Sequence, residues 1–229
     1  MPLCYEKMLK KILFSLVITV PLLFLGKYLY DKQQRTEYIE TVTPLVKNSS
    51  IRVSNALKIE IDSSNMTFAE LFEKLEEDTK EIEKRNIEVQ SAAVQKFKDI
   101  SDPTIAYLEA CQSYSRAMAM MYRKKLALQN SMDAADEAIA DARGTSSYSF
   151  DYAKKRASRA MEKMDEAIKE RQASASDFHL AAKNLKEKRL SLSSVLEGGA
   201  LIDLAQLDKV IKSSGQLVDE MKKASETRT

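Results

Sequence analysis

The 229-residue chain has no tryptophan, one histidine, two cysteines, four prolines and five glycines. Average usage puts glycine near about 7% and proline near about 5%, so both are scarce. β-rich folds, Rossmann folds and loop-built active sites use glycine freely; this composition points to long helices joined by few turns. Gly26, Gly144, Gly198, Gly199 and Gly215 form no phosphate-cradling loop.

The shortage of histidine and cysteine removes most metal and nucleophile chemistry. A di-iron bundle needs two Glu-x-x-His pairs, yet His179 stands alone with Ser176 three residues before it. Structural zinc needs four Cys or His ligands, and Cys4, Cys111 and His179 are three, far apart. They give no disulfide framework either. Cys111 reads as a small core residue and His179 as a partly exposed helix residue. Cys4 is a candidate for acylation beside a membrane. Carboxylate pairs such as Glu76-Glu77 and Asp165-Glu166 read as solvated helix faces. The expectation is a protein that is not an enzyme and takes no cofactor.

What the chain does have is 44% apolar and 31% charged residues, enough for a sizeable core. Residues 1–35 carry six basic and two acidic groups, so the rest of the chain is slightly acidic. That balance argues against nucleic-acid binding, which depends on neutralising phosphates. The strongest local signal is Ile12–Gly26, ILFSLVITVPLLFLG, without a charge. Lys27 can snorkel and extend it to Tyr30. Lys10 and Lys11 before the run, and Lys27, Tyr28 and Tyr30 after it, suit the two membrane interfaces. The run reads as an uncleaved signal anchor. A cleaved signal peptide lacks its small-x-small site, and a buried helix is the remaining alternative. The expected placement is a single-pass protein with a cytoplasmic N-terminus and the bulk outside, periplasmic if bacterial.

The expected organisation is all-α: a basic flank over 1–11, a transmembrane anchor over 12–30, a linker over 31–66, a four-helix bundle over 67–225 and a frayed tail over 226–229. In the linker, Asp31–Thr43 reads as a polar helix ending near Pro44. Ile51, Val53, Leu57, Ile59 and Ile61 alternate with polar residues, the period of a strand. Thr67 and Glu70 form a T-x-x-E capping box, opening a helix to about Ile100 with Phe68, Phe72, Leu75, Ile82, Val89 and Ala93 on one face. Asp102-Pro103 reads as the next helix start.

Two heptad seams follow. One is Tyr107, Cys111, Tyr114, Met118, Met121, Lys125, Leu128, Met132, Ala135, Ile139 and Ala142. The other is Ala157, Met161, Met164, Ile168, Arg171, Ala175, Phe178, Ala182, Leu185, Arg189, Leu192 and Leu196. Their 3.5-residue period marks coiled-coil-like packing. Gly198-Gly199 stops the second, and a last helix places Leu204, Leu207, Ile211, Val218 and Met221 on one face. These rods assemble as an elongated antiparallel bundle. The last helix is half as long as the one before it, which leaves apolar face to be covered by the first helix or by another chain.

Lys125, Arg171 and Arg189 are cations at seam positions. They pair or snorkel, setting helix register, or hold an anion between helices. The cluster Lys154, Lys155, Arg156 and Arg159 is followed by acids at pairing distance. Asn48-Ser49-Ser50 and Asn65-Met66-Thr67 match the glycosylation sequon. In architecture alone, an anchor followed by a helical bundle outside the membrane resembles chemoreceptor ligand-binding domains; no second apolar run follows, and no residue is carried across. The expected function is a membrane-tethered scaffold, spacer or assembly factor with the bilayer and a protein or a second copy as partners. The alternative is a sensing bundle that binds a small anion.

Overall fold

The computed structural model describes residues 2–61, 67–92, 97–144, 149–196 and 198–226, with side chains described from Phe24 onward except at 57, 59–61, 68–69, 92 and 198. The chain is all-α, with five helices: α1 Pro2–Ile61, α2 Phe68–Ala92, α3 Lys98–Gly144, α4 Phe150–Leu192 and α5 Leu204–Glu226. It divides into two compact units, Met1–Thr43 and Pro44–Thr229. The second unit holds the helices in a bundle-like arrangement, α3 packing on α2 and α4, and α4 on α5. Among the described residues no helix is long and apolar enough to cross a membrane. The side chains of 12–23, most of the apolar run, lie outside the described residues, as do those of Cys4, Lys10 and Lys11.

Three local expectations are corrected. Residues 51–61 are helical, not a strand. Val46, Ser49, Ser50, Val53 and Ala56 are buried at helical spacing while Ile51 is exposed. The serines complete the stripe because a helical serine can satisfy its hydroxyl on the preceding turn, as Ser50 does on the Val46 carbonyl at 2.8 Å. The helix also runs through Pro44, which simply lacks a donor for the carbonyl one turn back. Finally, α2 ends at Ala92, and α3 begins at Lys98 with Pro103 inside it, so Asp102 is not the cap. Ala93 lies outside the described residues.

The capping box forms as expected. The Thr67 amide donates to Glu70 Oε2 at 2.9 Å, and the Glu70 amide donates to Thr67 Oγ1 at 3.3 Å. These bonds hold the Glu70 carboxyl below its usual range. The expected α2 stripe is buried at Leu75, Ile82 and Val89. Asp78, on the same side, is nearly buried and accepts from Arg52 of α1 at 2.7 Å, tying Pro44–Ile61 to α2.

The core is densest where α3 passes between its neighbours. Tyr107, Leu108, Cys111, Tyr114 and Met118 on α3, and Phe178, Ala182, Leu185 and Leu192 on α4, are fully buried. The Tyr114 and Phe178 rings lie 5.2 Å apart at 45°, a favoured tilted geometry. Cys111 sits here as a small core residue, and burial pushes its thiol up to about 12. A thiolate is the reactive form, so in a Cys4→Ser variant Cys111 should not react with Ellman's reagent until denaturant is added. Rapid labelling of the native protein would contradict this packing.

Candidate functional site

Near the base of α3, a chain of hydrogen bonds joins three parts of the second unit. The Ile202 amide donates to the Tyr107 hydroxyl at 3.3 Å. Tyr107 Oη and Ser50 Oγ lie 2.8 Å apart. Since Ser50 gives its proton to the Val46 carbonyl, Tyr107 donates to Ser50. Burial of the phenol pushes its pKa far up, keeping it neutral and able to donate. Arg189, half-buried, donates through Nε to the Ile202 carbonyl at 3.1 Å. One loop residue thus has both backbone groups held, one from α3 and one from α4. This node is structural: every polar atom named in it has a partner, and no open space for a reactant adjoins it.

The three seam cations do not converge. Arg189 clamps the loop before α5, Arg171 is half-buried some 18 residues earlier on the same helix, about 27 Å away, and Lys125 is exposed on α3. Of the interface candidates, Lys27, Tyr28 and Tyr30 are exposed, with Tyr30 Oη accepting from Gln34 at 2.6 Å.

His179 packs on α5. Its Nδ1 lies 2.9 Å from Ser214 Oγ, but Ser214 is buried and its hydroxyl donates to the Ile211 carbonyl at 3.2 Å. That serine is unavailable as a nucleophile. A Cβ at Gly215 would come within 3.1 Å of the ring, so a residue without a side chain lets the helices close here. Desolvation first and Lys183 second lower the His179 pKa, against the opposing Asp219 and the Ile211 carbonyl. The folded state therefore binds this proton less readily than the unfolded state. Stability at this contact should be complete above the ordinary histidine value. It should fall as pH drops through that value toward the lowered one. Thermal melts in that window should slope less in His179→Gln than in the wild type; equal slopes would assign the effect elsewhere.

The far half of α3 and the near half of α4 form a hairpin with two unlike flanks. The Lys124–Glu170 pair at 2.7 Å and the Arg156–Asp141 pair at 2.8 Å set its register. One flank is a groove of about 410 Å³. Lys155, Arg159 and Lys163 line it from α4, with the exposed Tyr152, facing Asn130 and Glu137 of α3. The basic cluster seen in the sequence is thus half of a groove wall, with Arg156 neutralised by Asp141; Lys163, one turn beyond, was missed, although its i+4 spacing from Arg159 was there to read. The other flank is apolar. Met132 and Met161 are 48% and 47% exposed, and Phe150 47%. Between the flanks the arms meet through small residues, with Ala135, Ala138, Ala153 and Ala167 buried.

Among the described residues no group of three or more potential metal ligands occurs. Comparison with family models, curated proteins and solved structures found no match to this chain.

Proposed function

We propose that the protein is a membrane-tethered, elongated helical bundle that acts by contact, as a scaffold, spacer or assembly factor. The observation that carries this reading is the α3–α4 pair. At 1.5 Å per residue its helices of 47 and 43 residues are about 70 and 64 Å long. Their seams are packed where Tyr107–Met118 meets Phe178–Leu192 and open where Met132 and Met161 lie. A helix gains most of its stability from burying an apolar stripe, so an open stripe on long rods suits a surface awaiting a partner. The sequence of Ile12–Gly26 supports the tether, with Lys10 and Lys11 at one interface and Lys27, Tyr28 and Tyr30 at the other. The bundle is placed outside, as for an N-terminal signal anchor.

The side of the membrane is tested by labelling. Ser213 is exposed on α5. A Cys4→Ser, Ser213→Cys chain in intact cells should react with a membrane-impermeant maleimide without permeabilisation. Labelling only after permeabilisation would place the bundle inside.

A second reading, a bundle sensing a small anion, is favoured by the groove and not by the original cations. Lys155, Arg159 and Lys163 converge there, whereas Lys125, Arg171 and Arg189 stand apart. Inorganic phosphate should raise the melting temperature of the wild type and not of Lys155→Ala, Arg159→Ala; identical shifts would remove this reading.

A further inference from the structure

The apolar flank of the hairpin belongs to a face that is covered elsewhere. Met161 precedes His179 by 18 residues, about five turns of helix, and so shares its side of α4. At His179 and Lys186 that side is occupied by α5, through Ser214 and Asp208. At Met161 the same side is open to solvent, as is Met132 across from it on α3. Ala157, Ile139, Met164 and Ile168 add half-buried apolar surface on this flank. The alanine contact that joins the two arms buries little, at about 0.8 kcal/mol per methylene-sized group. The hairpin therefore holds its larger apolar side chains on the outside and its smallest ones within.

The charges beside this flank indicate the occupant. On its α3 edge stand Asp136 and Arg143; on its α4 edge stand Lys154 and Asp151; all four are exposed. The Arg156–Asp141 pair fixes the level of the two arms. It places Arg143 close to the level of Asp151, and Asp136 close to that of Lys154. A second hairpin related by a two-fold axis along the rods would lie with its α4 antiparallel to this α3, at the same level. Each edge would then meet its opposite: Arg143 against the other copy's Asp151, and Asp136 against the other copy's Lys154. A two-fold makes each contact twice and closes the assembly at two.

We propose that the apolar flank of the α3–α4 hairpin, centred on Met132 and Met161, is the contact by which two copies of this chain pair into a four-helix tip. This deepens the contact reading above and rests on it, naming the partner as the chain itself. Leu-free and Met-rich, such a surface is adaptable in its packing, while the alternating edge charges fix register and exclude a slipped or head-to-tail arrangement.

The test is the mass of the full chain in a mild detergent, by light scattering coupled to gel filtration, over a range of concentrations. The wild type should move from monomer to dimer. Met132→Glu, Met161→Glu should stay monomeric with an unchanged circular-dichroism melt, since both positions are half exposed and tolerate a charge. Arg143→Asp and Asp151→Arg should each weaken dimerisation by about tenfold, each change being met twice. Together they should restore it. A wild type that is monomeric throughout would overturn the proposal. A dimer indifferent to the methionine changes would place pairing elsewhere, in the N-terminal run for instance, and overturn it equally. Swapped charges that fail to rescue would overturn the two-fold arrangement. A monomer that still labels from outside the cell removes self-association alone and leaves the tether standing.

Discussion

Phe178→Ala should cost about 3–5 kcal/mol of unfolding free energy, the range for emptying an aromatic site in a packed core. The ring is fully buried on α4 and tilts against Tyr114 of α3 at 5.2 Å. Its neighbours on both helices are held in long rods that cannot easily collapse into the gap, which argues for the upper part of that range. The change is read as a shift of the denaturant midpoint without a change of slope. Met161→Ala, the same kind of truncation on the open part of the same helix, should stay within about 0.5 kcal/mol for a monomer. Comparable costs at the two positions would mean that the exposed stretch is packed as tightly as the core.

Tyr107→Phe should cost about 1–3 kcal/mol, although it removes one oxygen atom. The buried Ile202 amide loses its acceptor and has no water to replace it, and an orphaned donor carries its full desolvation penalty. Ser50 loses its incoming donor but keeps its bond to Val46, so Ser50→Ala alone should cost less. The two changes share one chain of hydrogen bonds and should not add. A double-mutant cycle between Tyr107→Phe and Ser50→Ala measures the coupling directly. Strict additivity would show that the hydroxyls are not linked in solution.

The pattern of these effects explains what could be read from the sequence. Long helices with few glycines, the capping box at Thr67–Glu70 and the seam through Tyr107, Cys111, Tyr114 and Met118 follow from local chemistry and helical period, and each has its counterpart in the structure. The period-two reading of Ile51–Ile61 failed because Ser49 and Ser50 were counted as polar. In a helix their hydroxyls turn back on the preceding turn and their small volume is buried with the valines. Asp102-Pro103 has the composition of a helix start, yet a proline near the first turn costs little, and packing of Ile100 carried α3 further back. The candidate site was less legible. Heptad spacing identifies a stripe but not what covers it: Leu185 and Met161 are equivalent by period, and the first is fully buried while the second is exposed. Which cations meet depends on the register between arms, set by Lys124–Glu170 and Arg156–Asp141. No single-helix pattern contains that register.

The anchor at Ile12–Gly26 is the premise that turns a bundle into a tethered one. Alkaline carbonate extraction of membranes from cells making the full chain tests it most directly, alongside a Leu16→Asp, Val17→Asp variant. The account predicts that the wild type stays in the membrane pellet and that the variant is released. Recovery of the intact wild-type chain in the supernatant would contradict it.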